Sequence, residues 1–172
     1  MPNIILIQNE YPDEAARTKV INYICRSGLV GAYGLNADYA RRHFEMVFKH
    51  FHKTEGLLLQ HFVITFTTQE AYRLDVEDIL RIGFQVGKLF AQYQMVYAVH
   101  LDARYIHLHI LMSRVSFIDG TKYSDGLAGF WRLKAMLQQQ FPKSDVGIYH
   151  SYPDSEHNTY KDTSEDYLLR IG

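Results

Sequence analysis

Along residues 99–112, VHLDARYIHLHILM, apolar and polar side chains alternate, and three of the nine histidines fall within ten residues. On a strand, side chains two apart face the same way. Ile106, Leu108, Ile110 and Met112 therefore share one face, suited to a core, while Tyr105, His107, His109 and Leu111 share the other. The segments QMVYAVH (94–100) and YIHLHILMSRV (105–115) read as strands, and the short polar link LDAR between them predicts a hairpin. Folding that hairpin carries His100 back toward His107, so three imidazoles can converge on one point. Neutral imidazole is a common metal ligand, and three on one side leave open positions for water or phosphate oxygens. Asp102 is placed to orient a histidine through its ring N–H, or to act on a substrate proton. His50 and His52 are also two apart, but on a predicted helix they point roughly 200° apart and cannot chelate together. His43, His61, His150 and His157 show no such pairing and read as structural or surface residues.

The rest of the chain is that of one compact domain of 172 residues, 47% apolar and 22% charged. No apolar run reaches the roughly 18 residues of a membrane span, and the N-terminus lacks the charged start and long apolar run of a signal peptide. The single cysteine, Cys25, allows no internal disulfide or Cys-rich zinc site and fits a reducing compartment. A net charge of −1 argues against a generic polycation. The charge is uneven, however. Arg17, Lys19, Arg26, Arg41, Arg42, Lys49 and Lys53 are opposed between residues 17 and 53 only by Asp38 and Glu45, whereas the C-terminal end is acidic. Such local basicity is what a phosphate backbone meets, although the same charges also suit solvated helix faces.

Periodicity and punctuation predict a strand over 3–8, a helix over 14–28 stopped by Gly28, a glycine-containing turn over 28–34, and a helix over 36–53 capped by Asn36. A strand over 57–67 follows, then a helix from Val76 capped by Asp75, the two hairpin strands, and a helix over 126–141 ended by Pro142. Phe130 and Trp131 read as core residues of that last helix, and Cys25 as buried filler. The order implies an α+β fold with a central antiparallel β-sheet covered by helices. Its domain occupies residues 1–145, and residues 146–172 form a polar, acidic C-terminal extension.

The pair His100-Leu-Asp102 and His107-Leu-His109 resembles the third motif of the conjugative relaxase/mobilisation nuclease family, within the superfamily of His-hydrophobic-His (HUH) endonucleases. QHFVITF (60–66) resembles the family's second motif, usually His-hydrophobic-Ser-Phe, with Thr65 in the Ser place and Glu70 at a fitting distance. VINYICR (20–26) resembles the first motif, in which a tyrosine ending an early helix is the nucleophile; Tyr23 holds that place, and Tyr33 in the GAYG turn is its rival. DGTKYS (119–124) resembles the turn that follows the histidines. The family often has another His at the position of Tyr105 and an Asn at that of Ser113, and its domains are usually more basic.

The resemblance implies a fold related to the ferredoxin/RRM-like palm. It also implies an enzyme, a metal-dependent DNA relaxase that nicks and rejoins one strand at a plasmid or mobile-element transfer origin through a 5′-phosphotyrosyl intermediate. Tyr23 and Asp102 would be catalytic, His100, His107 and His109 would hold Mn or Mg (or zinc as a bound ion), and Thr65, Arg26, Arg41, Arg42 and Lys122 would contact DNA. Imidazoles favour later transition metals over Mg, so Mn is expected to bind more tightly than Mg. The implied partners are single-stranded DNA, accessory DNA-binding proteins and the conjugative secretion machinery, in a bacterial cytoplasm without membrane insertion. Three alternatives stay open: a rolling-circle replication initiator, a DNA-binding remnant that no longer nicks, and a three-His metalloenzyme acting on another substrate.

Overall fold

The computed structural model describes residues 2–101, 105–153 and 160–161. Asp102, singled out above, lies outside the described residues. The strands are β1 (Asn3–Ile7), β2 (Val30–Tyr33), β3 (Leu59–Thr65), β4 (Met95–His100), β5 (His107–Ser113), β6 (Gly147–Pro153) and β7 (Tyr160–Lys161). The helices are α1 (Glu14–Cys25), α2 (Ala40–His50), the single turn α3 (Thr68–Ala71), α4 (Val76–Leu89) and α5 (Ala128–Gln140); a short 3₁₀ turn, Ala37–Tyr39, leads into α2. The sheet runs β2-β4-β5-β3-β1-β6-β7. The fold is α+β as expected.

All pairings among β2, β4, β5, β3 and β1 are antiparallel, but β6 adds to β1 in parallel, so the sheet is mixed. Two segments depart from the sequence reading. The expected turn at 28–34 contains strand β2, whose Gly31 and Ala32 carry too little side chain for the alternation of apolar residues to show. The expected polar extension begins with β6, in which Ile148 and Tyr149 are buried.

Helices cover both faces. On one, α4 and α5 enclose Phe62, Ile64, Tyr97, Leu108, Ile110 and Met112 with Ile82, Val86, Phe130 and Leu133. Helix α4 approaches the sheet closely because it carries Gly83 and Gly87 inward. A Cβ on Gly83 would come within 2.5 Å of the Tyr97 ring, and one on Gly87 within 2.4 Å of Tyr33. Trp131 does not join this core; it is 58% exposed on the outer side of α5, while Phe130 packs inside. On the opposite face, Val20, Ile21 and Ile24 of α1 and Phe44 and Phe48 of α2 cover Leu59, Val96 and Leu111. Between these helices runs the buried ion pair Arg17 Nε to Glu45 Oε1, 2.7 Å. This second face carries the odd-numbered residues of β5, and it leaves one end of the sheet, beside the C-terminus of α1, for polar side chains.

Candidate metal centre and its tyrosine

The β4–β5 register puts His100 directly opposite His107 and Ala98 opposite His109. The three imidazoles thus crowd one end of the second face. Ring centroids lie 5.5 Å (His100–His107), 4.4 Å (His100–His109) and 4.9 Å (His107–His109) apart. One nitrogen from each ring lies within 4.8 Å of the others. His100 and His109 are buried and His107 is half-buried, as for a site closed from behind and open toward one side.

The outer nitrogen of each ring is held by a defined partner. His100 Nε2 donates to the carbonyl of Ile24 at 2.7 Å, in the last turn of α1, where carbonyls lack partners within the helix. That leaves His100 Nδ1 buried with no hydrogen-bond partner. Burying such an atom without compensation costs free energy, and a coordinated cation would satisfy it. His107 Nδ1 donates to the carbonyl of Tyr105 at 2.8 Å. His109 Nδ1 lies 2.9 Å from His61 Nε2. The nitrogens facing inward are thus His100 Nδ1, His107 Nε2 and His109 Nε2. Burial, followed by the neighbouring His61, His107, His100 and Arg26, holds His109 well below its ordinary pKa, so the ring is neutral and competent as a ligand. The residues fit a divalent ion with three uncharged nitrogen donors.

Tyr23 comes to this cluster from α1. The bond from His100 to the Ile24 carbonyl ties the end of that helix to the triad, and Tyr23 precedes Ile24. Its ring meets those of His100 and His109 edge-on, with centroids 5.6 and 5.7 Å away, and it keeps 37% exposure. The Arg26 guanidinium lies over the Tyr23 ring, 4.6 Å from its centroid. Tyr33 is elsewhere. Its hydroxyl donates to the carbonyl of Ala91 and its ring packs on Phe84 of α4, on the other side of the sheet.

The remaining sequence-derived positions divide. Thr65 is paired with His107 across the β3–β5 ladder and is half-buried beside the triad. Arg41 and Arg42 line a cleft of about 570 Å³ with Asn22, Cys25 and Tyr39, next to the end of α1 that presents Tyr23, and Arg41 also pairs with Glu14 at 3.5 Å. Lys122 is not near the triad. It bonds to the carbonyl of Glu55 and follows the opposite end of β5, with Val115 bridged to Lys122. Cys25 is half-buried rather than core. Glu70 closes the capping box of α3 with Thr67, so its role in the structure is at a helix terminus.

His61 was the residue that sequence reasoning passed over. It is fully buried on β3, with its ring 5.2 Å from that of His109, and its Nδ1 is 2.7 Å from the Tyr11 hydroxyl. The signal lay in the alternation of β3: His61, Val63 and Thr65 share the face that Leu111, His109 and His107 share on β5. The string QHFVITF contains His61, but its contact with His109 follows only from the pairing of β3 with β5, which separation along the chain conceals.

Comparison with curated proteins gave no match, nor did comparison with solved structures. The family described as Relaxase: MobA/VirD2-like, nuclease domain, matches residues 10–145, a span that includes Tyr23, the three clustered histidines and all five helices. With a metal-competent histidine triad and a tyrosine at its rim, and with a family match over well more than half its length, the chain belongs to the MobA/VirD2-like relaxases and carries their nuclease domain.

Proposed function

We propose that this relaxase domain nicks and rejoins single-stranded DNA at the transfer origin of a plasmid or other mobile element, with Tyr23 as its nucleophile. The observation that carries the reading is the placement of the Tyr23 ring against two members of the histidine triad. In the proposed step the Tyr23 oxygen attacks the scissile phosphorus and loses its proton. A bond forms between that oxygen and phosphorus, the bond from phosphorus to the 3′-oxygen breaks, and the leaving 3′-oxygen takes up a proton. The products are a 5′-phosphotyrosyl link and a free 3′-OH. The reverse attack by a 3′-OH reseals the strand, and no nucleotide hydrolysis is needed because one phosphodiester replaces another.

A phenol with its ordinary pKa near 10 is a weak nucleophile. His100, His107 and His109 would hold a divalent ion, which would supply positive charge at the scissile phosphate. Arg26, stacked on Tyr23, is proposed to bind the same phosphate, and the Thr65 hydroxyl to donate to a neighbouring one. Arg41 and Arg42 extend the positive charge along the cleft beside α1 and are proposed to hold the DNA backbone. Asp102 is proposed to orient a histidine or receive the tyrosine proton. The physiological setting proposed is the bacterial cytoplasm, with accessory DNA-binding proteins and a secretion channel as partners.

The test is a cleavage assay with Mn²⁺ and labelled oligonucleotides tiled across the origin region of the protein's own element, run on denaturing gels before and after protease. A protein-linked DNA band that is lost in Tyr23→Phe and in His107→Ala is the expected result. Metal binding without any linked band on fully tiled DNA would instead favour a non-nicking DNA binder, the reading that the net charge of −1 supports.

A further inference from the structure

We infer that Tyr11 and His61 are positioning residues for the metal centre: together they fix the ring orientation and tautomer of His109 so that its Nε2 lone pair faces the ion. The inference rests on the proposed metal-binding role of the triad and gives a role to Tyr11 and to His61, the histidine of the second-motif string, which the family resemblance left without one.

The connection is a buried chain of three side chains from three parts of the sequence. The Tyr11 hydroxyl lies 2.7 Å from His61 Nδ1, and His61 Nε2 lies 2.9 Å from His109 Nδ1. All three residues are at most 6% exposed. Both nitrogens of His61 are therefore engaged, and its neutral ring has one donor and one acceptor to give. Only two polarities are available. In one, His109 Nδ1–H donates to His61 Nε2, and His61 Nδ1–H donates to the Tyr11 oxygen; His109 Nε2 is then a bare lone pair. In the other, every donor is reversed, and His109 Nε2 carries a proton that blocks ligation. A metal at the triad selects the first polarity, and a tyrosine oxygen at the far end can accept the donation it requires.

Two further features show that Tyr11 is placed for this contact. It adopts a left-handed backbone conformation, φ 45°, where a non-glycine residue is rare. Its own N–H is tied to Asn9 Oδ1 at 3.2 Å, which holds the bend. Local strain of this kind persists where the surrounding structure over-determines it and is commonly found at functional sites. Beyond His61, β1 continues the support, since Ile7 is the residue paired with His61 across the ladder. The triad is thus braced differently at each member: by the carbonyl of Ile24 at His100, by the carbonyl of Tyr105 at His107, and by a two-residue chain at His109. The first two acceptors are fixed by backbone and cannot reverse. The third is made of side chains, so mutation can reach it.

The experiment uses the full chain and Mn²⁺ alone, without DNA. Mn²⁺ affinity is measured by calorimetry, and the unfolding midpoint of the metal-free protein is measured in parallel, for the parent, His61→Leu, His61→Gln, Tyr11→Phe and His107→Ala. Glutamine offers a carbonyl oxygen to His109 Nδ1–H and an amide N–H to Tyr11, so it reproduces the required polarity; leucine fills similar space and offers neither. His61→Leu is expected to bind Mn²⁺ about 10 to 100-fold more weakly, the range for loss of such a partner. His61→Gln should stay within about threefold of the parent, and Tyr11→Phe should fall between them. Unchanged Mn²⁺ affinity in His61→Leu and Tyr11→Phe would overturn the inference and leave the chain as core packing. So would His61→Gln binding as weakly as His61→Leu. If the parent binds no Mn²⁺, or if His107→Ala binds it as the parent does, the failure belongs to the metal reading of the triad itself.

Discussion

Tyr23 and His61 show how neighbouring side chains set the chemistry of single groups at this centre. Tyr23 sits edge-on to two imidazoles with a guanidinium over its face, so removing only its hydroxyl tests its proposed role as nucleophile without disturbing the packing of the ring. Tyr23→Phe is expected to abolish covalent DNA linkage while changing the unfolding free energy by less than about 0.5 kcal/mol, as at a part-exposed surface position. Tyr33→Phe, which loses a hydroxyl on the other face, should leave linkage intact. Denaturing gels and urea titrations check both. His61 makes a different prediction. Burial, reinforced by His100, lowers its pKa from 6.5 to about 3. The unfolded chain therefore takes up a proton below about pH 6.5 that the folded chain refuses until about pH 3. In the presence of chelator, stability is fully present above pH 6.5 and falls as the pH drops toward 3. His61→Leu is expected to flatten this acid limb in urea titrations at several pH values.

At the scale of elements, caps and close approaches decide how well the scaffold is held. Helix α4 starts with a reciprocal box: Asp75 Oδ1 accepts from Asp78 N at 2.8 Å, and Asp78 Oδ2 accepts from Asp75 N at 3.1 Å. Asp75→Ala is expected to cost about 1 kcal/mol in chemical denaturation. On the same helix, Gly83→Ala places a methyl 2.5 Å from the Tyr97 ring. Helix propensity alone would favour alanine by about 1 kcal/mol, but overpacking between helix and sheet costs about 1–3 kcal/mol. The net effect is expected to be destabilising. The boundaries of α1, α4, β3, β4 and β5 were legible to within a few residues, because each carries an apolar period together with a cap, glycine or turn at its end. β2 was not, since four residues with glycine and alanine at the centre give no period to read, and its pairing with β4 supplies what local sequence lacks.

For the whole molecule, the sheet has to hold its far edge and its histidine corner at once. β6 is the parallel partner of β1, which in turn pairs with β3 beside His61. A chain ending at Asp145 loses Val146, Ile148 and Tyr149 from the core and leaves β1 as an edge. It is expected to be less stable by at least about 3 kcal/mol, reading the buried Val146 and Ile148 side chains at about 1.5–3 kcal/mol each; a denaturant midpoint equal to that of the full chain would show that β6 contributes nothing. Metal addition acts in the opposite sense. Mn²⁺ at 100 times its dissociation constant should stabilise the fold by about 2.7 kcal/mol, reversed by chelator, with Mg²⁺ giving a smaller shift at equal concentration because imidazole donors suit it less. Among the described residues, no helix is long and apolar enough to cross a membrane.

The sequence alone determined the hairpin, the face on which His107 and His109 stand, and the approach of His100, because strand alternation and a short link are local properties. Its family-like motifs also identified Tyr23, Thr65 and Arg26, which the folded chain brings to the triad. Only the tertiary structure decided that Tyr33 and Lys122 lie elsewhere, that Trp131 faces outward, and that residues past 146 supply a sheet strand. It alone decided that Tyr11 and His61 reach His109. Those outcomes depend on which strand pairs with which and which face a helix covers. Such choices are made by contacts between residues tens of positions apart, where no period or spacing in the chain records them.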